Sequence, residues 1–275
     1  MSENTIAFVG GGNMARSLIG GLIADRHPAA RLRVAEPDAE RREALINDFE
    51  VQAFQENATA IRGADVIMLA VKPAQIADVV RDLAPHVREQ KSLVISVAAG
   101  VRSADIDRWL GGDSPVVRAM PNTPALVQTG ATALFANARV SEEQRNLAES
   151  ILRAVGMVVW LTDEQDMNTV TAISGSGPAY FFLTMEAMQA AGESMGLDAR
   201  TAHLLTLETA LGAARMALES PEDVGELKRR VTSPGGTTAA AIGELEGGDL
   251  AGLYHRALQA AARRAEELGN ELGDQ

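Results

Sequence analysis

The residues best equipped for chemistry lie near the C-terminal end, in Val231-Thr232-Ser233-Pro234-Gly235-Gly236-Thr237-Thr238. They run into an alanine-rich stretch without a charged side chain before Ile242. Gly235 and Gly236 carry no Cβ and let a ligand approach the backbone closely. Pro234 suits the first turn of a helix, where its missing N–H leaves nothing unsatisfied. The free N–H groups of that helix start, at the positive end of its dipole, favour an anion. The hydroxyls of Ser233, Thr237 and Thr238 add donors at the same spot. With no Lys or Arg inside it, such a cradle suits a small carboxylate better than a nucleotide. A capped helix after a turn would use the same residues, and the Thr238 hydroxyl could simply cap that helix or back-bond to it.

A second constellation opens the chain. Ile6–Val9 is an apolar strand run followed by Gly10-Gly11-Gly12-Asn13-Met14-Ala15, a G-x-G-x-x-A pattern leading into a helix that carries Leu18, Ile19, Leu22 and Ile23. Gly10 permits the tight turn, Gly12 lets a pyrophosphate approach, and small Ala15 allows close packing of helix on strand. Strand-like Leu32–Ala35 ends at Glu36-Pro37. An acid there bonds the ribose 2′-OH of NADH, whereas Arg41 and Arg42, in a helix capped by Asp38, could meet the 2′-phosphate of NADPH. Both readings stand at this stage. Residues 65–71 form a buried parallel strand ending at Lys72-Pro73, which puts Lys72 at the edge where such sheets bind cofactors, unless it is an ordinary solvated loop lysine. Residues 92–97 repeat the pattern and close with Ala98-Ala99-Gly100, small enough to leave space for a nicotinamide ring.

The elements that must position these groups divide at Thr162. Before it, strands and helices alternate. Residues 115–120, 131–135 and 157–161 are further strands, Pro121-Asn122-Thr123-Pro124 is a rigid turn, and 141–155 is a helix with Ser141 as cap and Gln144 closing a capping box. After it the chain is alanine-rich and helical. Helices are predicted over 164–173, 178–195, 200–218 and 250–268, the first broken by Ser174-Gly175-Ser176-Gly177-Pro178, while 227–230 leads into the Ser233–Thr238 turn. The 200–218 helix is apolar around most of its circumference, which calls for burial on all sides. A domain of about 110 residues has little interior to supply that, so subunits should pack together here.

Composition narrows the field. The chain has 275 residues, 46% of them hydrophobic and only 4% aromatic, so its core rests on Ala, Val, Leu, Ile and Met. The absence of cysteine rules out disulfides and thiolate chemistry. The four histidines lack ligand spacing, so no metal site is expected. A net charge of −12 argues against nucleic acid. The strand pattern begins at once, leaving no room for a signal peptide, and no apolar run is long enough for a membrane span. The expected setting is cytoplasmic.

Five motifs occur in order: Gly10 to Ala15, Ala70-Val71-Lys72-Pro73, Arg118-Ala119-Met120-Pro121-Asn122-Thr123-Pro124, Ser174-Gly175-Ser176-Gly177-Pro178-Ala179-Tyr180, and the Val231–Thr238 turn. Together, over essentially the whole chain, they resemble the Δ1-pyrroline-5-carboxylate reductases of proline biosynthesis. The resemblance implies an α/β fold: an N-terminal Rossmann-type dinucleotide-binding domain over 1–162, then an all-α dimerisation and substrate domain over 163–275. It implies reduction of 1-pyrroline-5-carboxylate to L-proline by NADPH or NADH, with a slight lean to NADPH. It implies a homodimer or a ring of dimers. By position, Gly10, Gly11, Gly12, Asn13, Met14, Glu36, Asn57, Ala70, Val71, Lys72, Pro73 and Ala99 would surround the cofactor. Ser233, Gly235, Gly236 and Thr237 would hold the substrate carboxylate at the turn of a dimer partner, with Thr238 facing the ring nitrogen. Glu164 matches a substrate-side acid in some members. Members often carry a small polar residue where this chain has Glu36. The nearest rivals are other imine reductases and β-hydroxyacid dehydrogenases. The latter resemble one another in a catalytic lysine on the first long helix of the second half, and residues 178–195 contain none.

Overall fold

In the computed structural model, which describes residues 4–274, eight short runs form one sheet: β1 (Ile6–Val9), β2 (Leu32–Ala35), β3 (Gln52–Phe54), β4 (Val66–Leu69), β5 (Leu93–Ser96), β6 (Val116–Met120), β7 (Gly130–Ala136) and β8 (Gly156–Trp160). Their order is β3-β2-β1-β4-β5-β6-β7-β8. The first six are mutually parallel, β7 runs antiparallel to β6, and β8 is parallel to β7. Unbroken apolar runs suit strands covered on both faces.

The pleat sorts their side chains. Ile6, Phe8, Val34 and Met68 point into one buried cluster, and their neighbours Ala7, Val9, Ile67 and Leu69 into another on the opposite face. The first cluster is covered by α1 (Asn13–Ala24), α2 (Ala39–Phe49) and α6 (Glu142–Arg153), the second by α4 (Ile76–Gln90) and α5 (Ser103–Leu110). The capping box of α6 forms as the sequence indicates. Two small elements escaped the sequence: edge strand β3 and the five-residue helix α3 (Asn57–Ile61). Neither is long enough to show a period.

A short helix, α7 (Asp166–Val170), continues through a π turn over Thr171–Gly175, in which the Ser176 N–H donates to the Thr171 carbonyl at 2.8 Å. The expected break at Ser174-Gly175-Ser176-Gly177-Pro178 is therefore a change of helical pitch. The glycine has a packing reason: a Cβ on Gly175 would sit 2.4 Å from the Met120 Cε. Met167 and Met120 share a third buried cluster.

Contacts divide the molecule into Met1–Ser176 with Ala260–Gln275, and Gly177–Gln259. This division falls later than the boundary drawn after Thr162, because α7 packs with β6 and β7 through that third cluster. The second unit holds α8 (Gly177–Ser194), α9 (Ala199–Glu219), α10 (Val224–Arg230), α11 (Thr237–Gly247) and the start of α12 (Leu250–Gly273). The end of α12 runs beyond the expected Leu268, because Leu272 is buried in the second cluster of the sheet unit.

The helix expected over 200–218 exists as α9, but a single chain does not bury it. Among the described residues of α8 and α9 only Gly177, Gly192, Ala202 and Thr206 are buried, while Phe181 is 66% exposed, Phe182 64% and Leu211 63%. A lone copy of this unit has almost no core.

Candidate active site

Because β1 to β6 are parallel, their carboxyl ends share one edge of the sheet. That edge collects Gly10 to Met14 after β1, Glu36 after β2, Asn57 at the start of α3, Ala70 to Pro73 after β4, and Ala99 after β5. Gly10 adopts φ +100°, and a Cβ there would lie 2.8 Å from the Ala70 carbonyl oxygen. Only glycine fits. A Cβ on Gly11 would lie 2.6 Å from Leu45. Above Gly12 nothing approaches within 4 Å of an added Cβ. Gly12 is the N-cap of α1 without a capping side chain, and the first helical bond runs from the Arg16 N–H to its carbonyl. The N–H groups of Asn13, Met14 and Ala15 thus have no acceptor within the helix. Bare glycine backbone beside a helix start is what a dinucleotide diphosphate needs, and this loop fits it.

Glu36 is buried and its carboxylate is fixed. Oε2 accepts the Gly11 N–H and Oε1 accepts the Asp38 N–H, both at 3.1 Å. Asp38 caps α2 as expected, accepting the Arg41 N–H. Arg42 turns its Nη1 onto the carbonyls of Glu36 and Pro37, at 2.8 and 2.7 Å. Lys72 is exposed and contributes a carbonyl to the turn after β4; Ala99 is exposed, and Asn57, Ala70, Val71 and Pro73 are half-buried.

The turn before α11 lies in the second unit. Its backbone is a tight turn with Pro234 at the second position, Gly235 at φ +72°, and the Gly236 N–H donating to the Ser233 carbonyl at 3.0 Å. Pro234 therefore belongs to the turn and does not start the helix, which begins at Thr237 with Gly236 as N-cap. The first helical bond is made by the Ala240 N–H to the Gly236 carbonyl. This leaves the N–H groups of Thr237, Thr238 and Ala239 without helical acceptors. Gly236 brings no side chain to cap them. Nor do the hydroxyls of Ser233, Thr237 and Thr238 bond to the chain among the described residues. The basic residues just upstream are neutralised: Lys228 pairs with Glu246 at 2.9 Å, Arg230 with Glu222 at 2.7 Å, and Arg229 with Glu226. What the turn itself offers an anion is amides and hydroxyls.

Glu164 belongs to the first unit. Its two oxygens accept the N–H and the hydroxyl of Ser103, both at 2.7 Å, and Oε1 lies 3.3 Å from Nη1 of Arg118. Arg102, the N-cap of α5, offers no capping side chain, so Glu164 caps that helix from a distant segment. Burial pushes the Arg118 guanidinium below its ordinary value, and Glu164 pushes it back up. The geometry ties Glu164 to α5 and Arg118, a structural task that stands beside the substrate-side role that the resemblance implied. Sequence reading missed this cluster, although a lone arginine inside the apolar run of β6 was its visible signal.

Residues 164–268 match the family model described as pyrroline-5-carboxylate reductase dimerisation, and residues 5–100 that described as NADP oxidoreductase coenzyme F420-dependent. The pyrroline-5-carboxylate reductase of Pseudomonas aeruginosa is 50% identical over 99% of this chain and 100% of its own length. The chain belongs to the pyrroline-5-carboxylate reductase family. A solved pyrroline-5-carboxylate reductase from Coxiella burnetii superposes with a TM-score of 0.94 at 50% identity, covering 97% of this chain and 99% of that one. The Plasmodium falciparum pyrroline carboxylate reductase, solved with NADP bound, gives 0.87 at 28% identity over 98% and 99%.

Membership in the reductase family gives the exposed apolar helices their meaning: the second half carries the family's dimerisation domain. Asn122 of the Met-Pro-Asn-Thr-Pro motif has a structural task of its own. Its amide donates to the Ser174 carbonyl at 3.2 Å and accepts the Ala131 N–H at 2.9 Å, tying the π turn to β7. No helix of the described residues is long and apolar enough to cross a membrane.

Proposed function

We propose that this chain reduces 1-pyrroline-5-carboxylate to L-proline with NADPH or NADH, as a homodimer or a ring of dimers formed through residues 163–275. The observation that carries the substrate assignment is the set of uncommitted donors around α11: three amides and three hydroxyls without an acceptor among the described residues. A small carboxylate is the ligand such a set satisfies. When bound, the reduced nicotinamide supplies hydride to the imine carbon, and the ring nitrogen gains a proton.

The chain's own residues have the remaining tasks. Gly10, Gly12 and the first amides of α1 hold the diphosphate, with Ala70 to Pro73, Asn57 and Ala99 bordering the same edge. Ser233, Gly235, Gly236 and Thr237 hold the carboxylate, the turn of one protomer serving its partner. Thr238 donates a hydrogen bond to the ring nitrogen. That nitrogen becomes more basic as hydride arrives, so the bond is worth more in the transition state than in the ground state. Reduction of C=N needs orientation and this donor, and no activated nucleophile. With a net charge of −12, a nucleic-acid partner has no place in the proposal.

Steady-state kinetics with pyrroline-5-carboxylate and each cofactor test it. Stoichiometric formation of L-proline with cofactor oxidation is the expected result. Cofactor binding without imine reduction would refute the proposal.

A further inference from the structure

Cofactor choice at the edge after β2 turns on whether the acid or the arginines control the ribose. In this structure the contest is unequal. Glu36 is only 5% exposed, and each of its oxygens is pinned by a backbone N–H: Oε2 by Gly11 in the glycine loop, Oε1 by Asp38 at the cap of α2. The Gly11 N–H is in no position to follow if the side chain swings away, because Gly11 is held in a loop where even a Cβ would strike Leu45 and Glu36 itself. A fixed carboxylate accepts hydrogen bonds and donates none. It matches the hydroxyls of a ribose and opposes a phosphate.

The cations do not offset it. Arg42 has turned its Nη1 onto the carbonyls of Glu36 and Pro37, so it braces the same turn that fixes the acid. Arg41 is exposed, with no side-chain partner among the described residues. Arg41 is solvated, and an exposed ion pair with a phosphate is worth little, whereas Glu36 acts from a buried position.

We propose that Glu36 makes this chain prefer NADH to NADPH, an inference that rests on the dinucleotide reading of the glycine loop. The preference lies in binding and precedes any chemistry on the imine. The test is therefore equilibrium titration of NADH and NADPH, followed by nicotinamide fluorescence, with no imine present. NADH is expected to bind about ten- to a hundredfold more tightly. Glu36→Gln keeps the shape but turns an N–H₂ toward one of the two backbone donors, so Glu36→Ser is the companion variant, removing the carboxylate outright. Both should remove most of the gap, chiefly by tightening NADPH, with melting temperature checked for each. Arg41→Ala should leave the order unchanged. NADPH binding as tightly as NADH to the wild type would overturn the proposal. So would a gap that survives in folded Glu36→Ser. Preferential NADH binding in a protein that fails to reduce pyrroline-5-carboxylate would sink the proposed reaction and still support the role of Glu36.

Discussion

Replacing Glu164 by Ala removes two supports at once. Its carboxylate caps α5 through the N–H and hydroxyl of Ser103 and neutralises Arg118. Losing a helix cap costs ~1 kcal/mol. Leaving a fully buried charge without its partner costs ~3–5 kcal/mol. The Arg118 side chain is 5% exposed and that of Glu164 19%, so water entering the vacated space should relieve part of the second cost. We expect ~2–4 kcal/mol in all, a fall in Tm of roughly 5–15 °C for a unit of this size. Arg118→Met removes the stranded cation, so the double variant should be less destabilised than the two singles added, by ~1–3 kcal/mol. Thermal and urea unfolding of all four proteins measure this. The KM for pyrroline-5-carboxylate separates the reading from a substrate-side role: it should stay within about threefold of wild type in folded Glu164→Ala. A Tm within a degree or two of wild type, strict additivity, or a large rise in KM at unchanged stability would each refute the reasoning.

Other outcomes follow from single observations. Gly10→Ala puts a methyl 2.8 Å from the Ala70 carbonyl oxygen in a φ +100° backbone; it should abolish detectable dinucleotide binding, and unchanged titration curves would contradict this. Leu211→Arg, on the exposed face of α9, should yield aggregated or unfolded protein, because a desolvated unpaired charge costs several kcal/mol. A well-folded, active monomer on a sizing column would refute the interface assignment. Burial holds the His27 imidazole below its ordinary 6.5, with the Asn4 backbone hydrogen bond opposing it, and its Nε2 is buried without a partner. The unfolded chain therefore binds the proton first as pH falls. The His27 contribution is fully present above 6.5 and is lost as pH drops through the lower folded value. Urea unfolding at pH 7.5 and 5.5 should show a smaller loss for His27→Gln than for wild type; equal losses would contradict the assignment.

Much of the first unit was legible because its signals are local. Gly10 announces a tight turn, Asp38 and Ser141 announce caps, and the runs around Ile67 and Val94 announce buried strands. What escaped depends on partners distant in the chain. Glu164 meets Ser103 across 61 positions, and no spacing rule brings a loop acid to a remote helix start. The 200–218 segment reads correctly as a helix, yet its surroundings lie outside the single chain, so Leu211 is open to solvent here. Pro234 was misplaced by one turn because a proline suits both a helix start and the second position of a tight turn; Gly235 at φ +72° decides between them. In the second unit the uncommitted hydroxyl of Thr238 was the open point. It stands at a helix start, formed by the amides of Thr237, Thr238 and Ala239, that has no cap of its own.

The most direct test of the substrate site is kcat for Thr238→Ala and Thr238→Ser. The Thr238 hydroxyl bonds to nothing in the chain among the described residues, so its removal should hardly change the Tm. If it donates to the imine nitrogen, Thr238→Ala should lower kcat about 10–10³-fold, equivalent to ~1.4–4 kcal/mol of transition-state stabilisation. Thr238→Ser, which keeps the donor, should retain most of the activity. A Thr238→Ala protein with normal kcat would contradict the account.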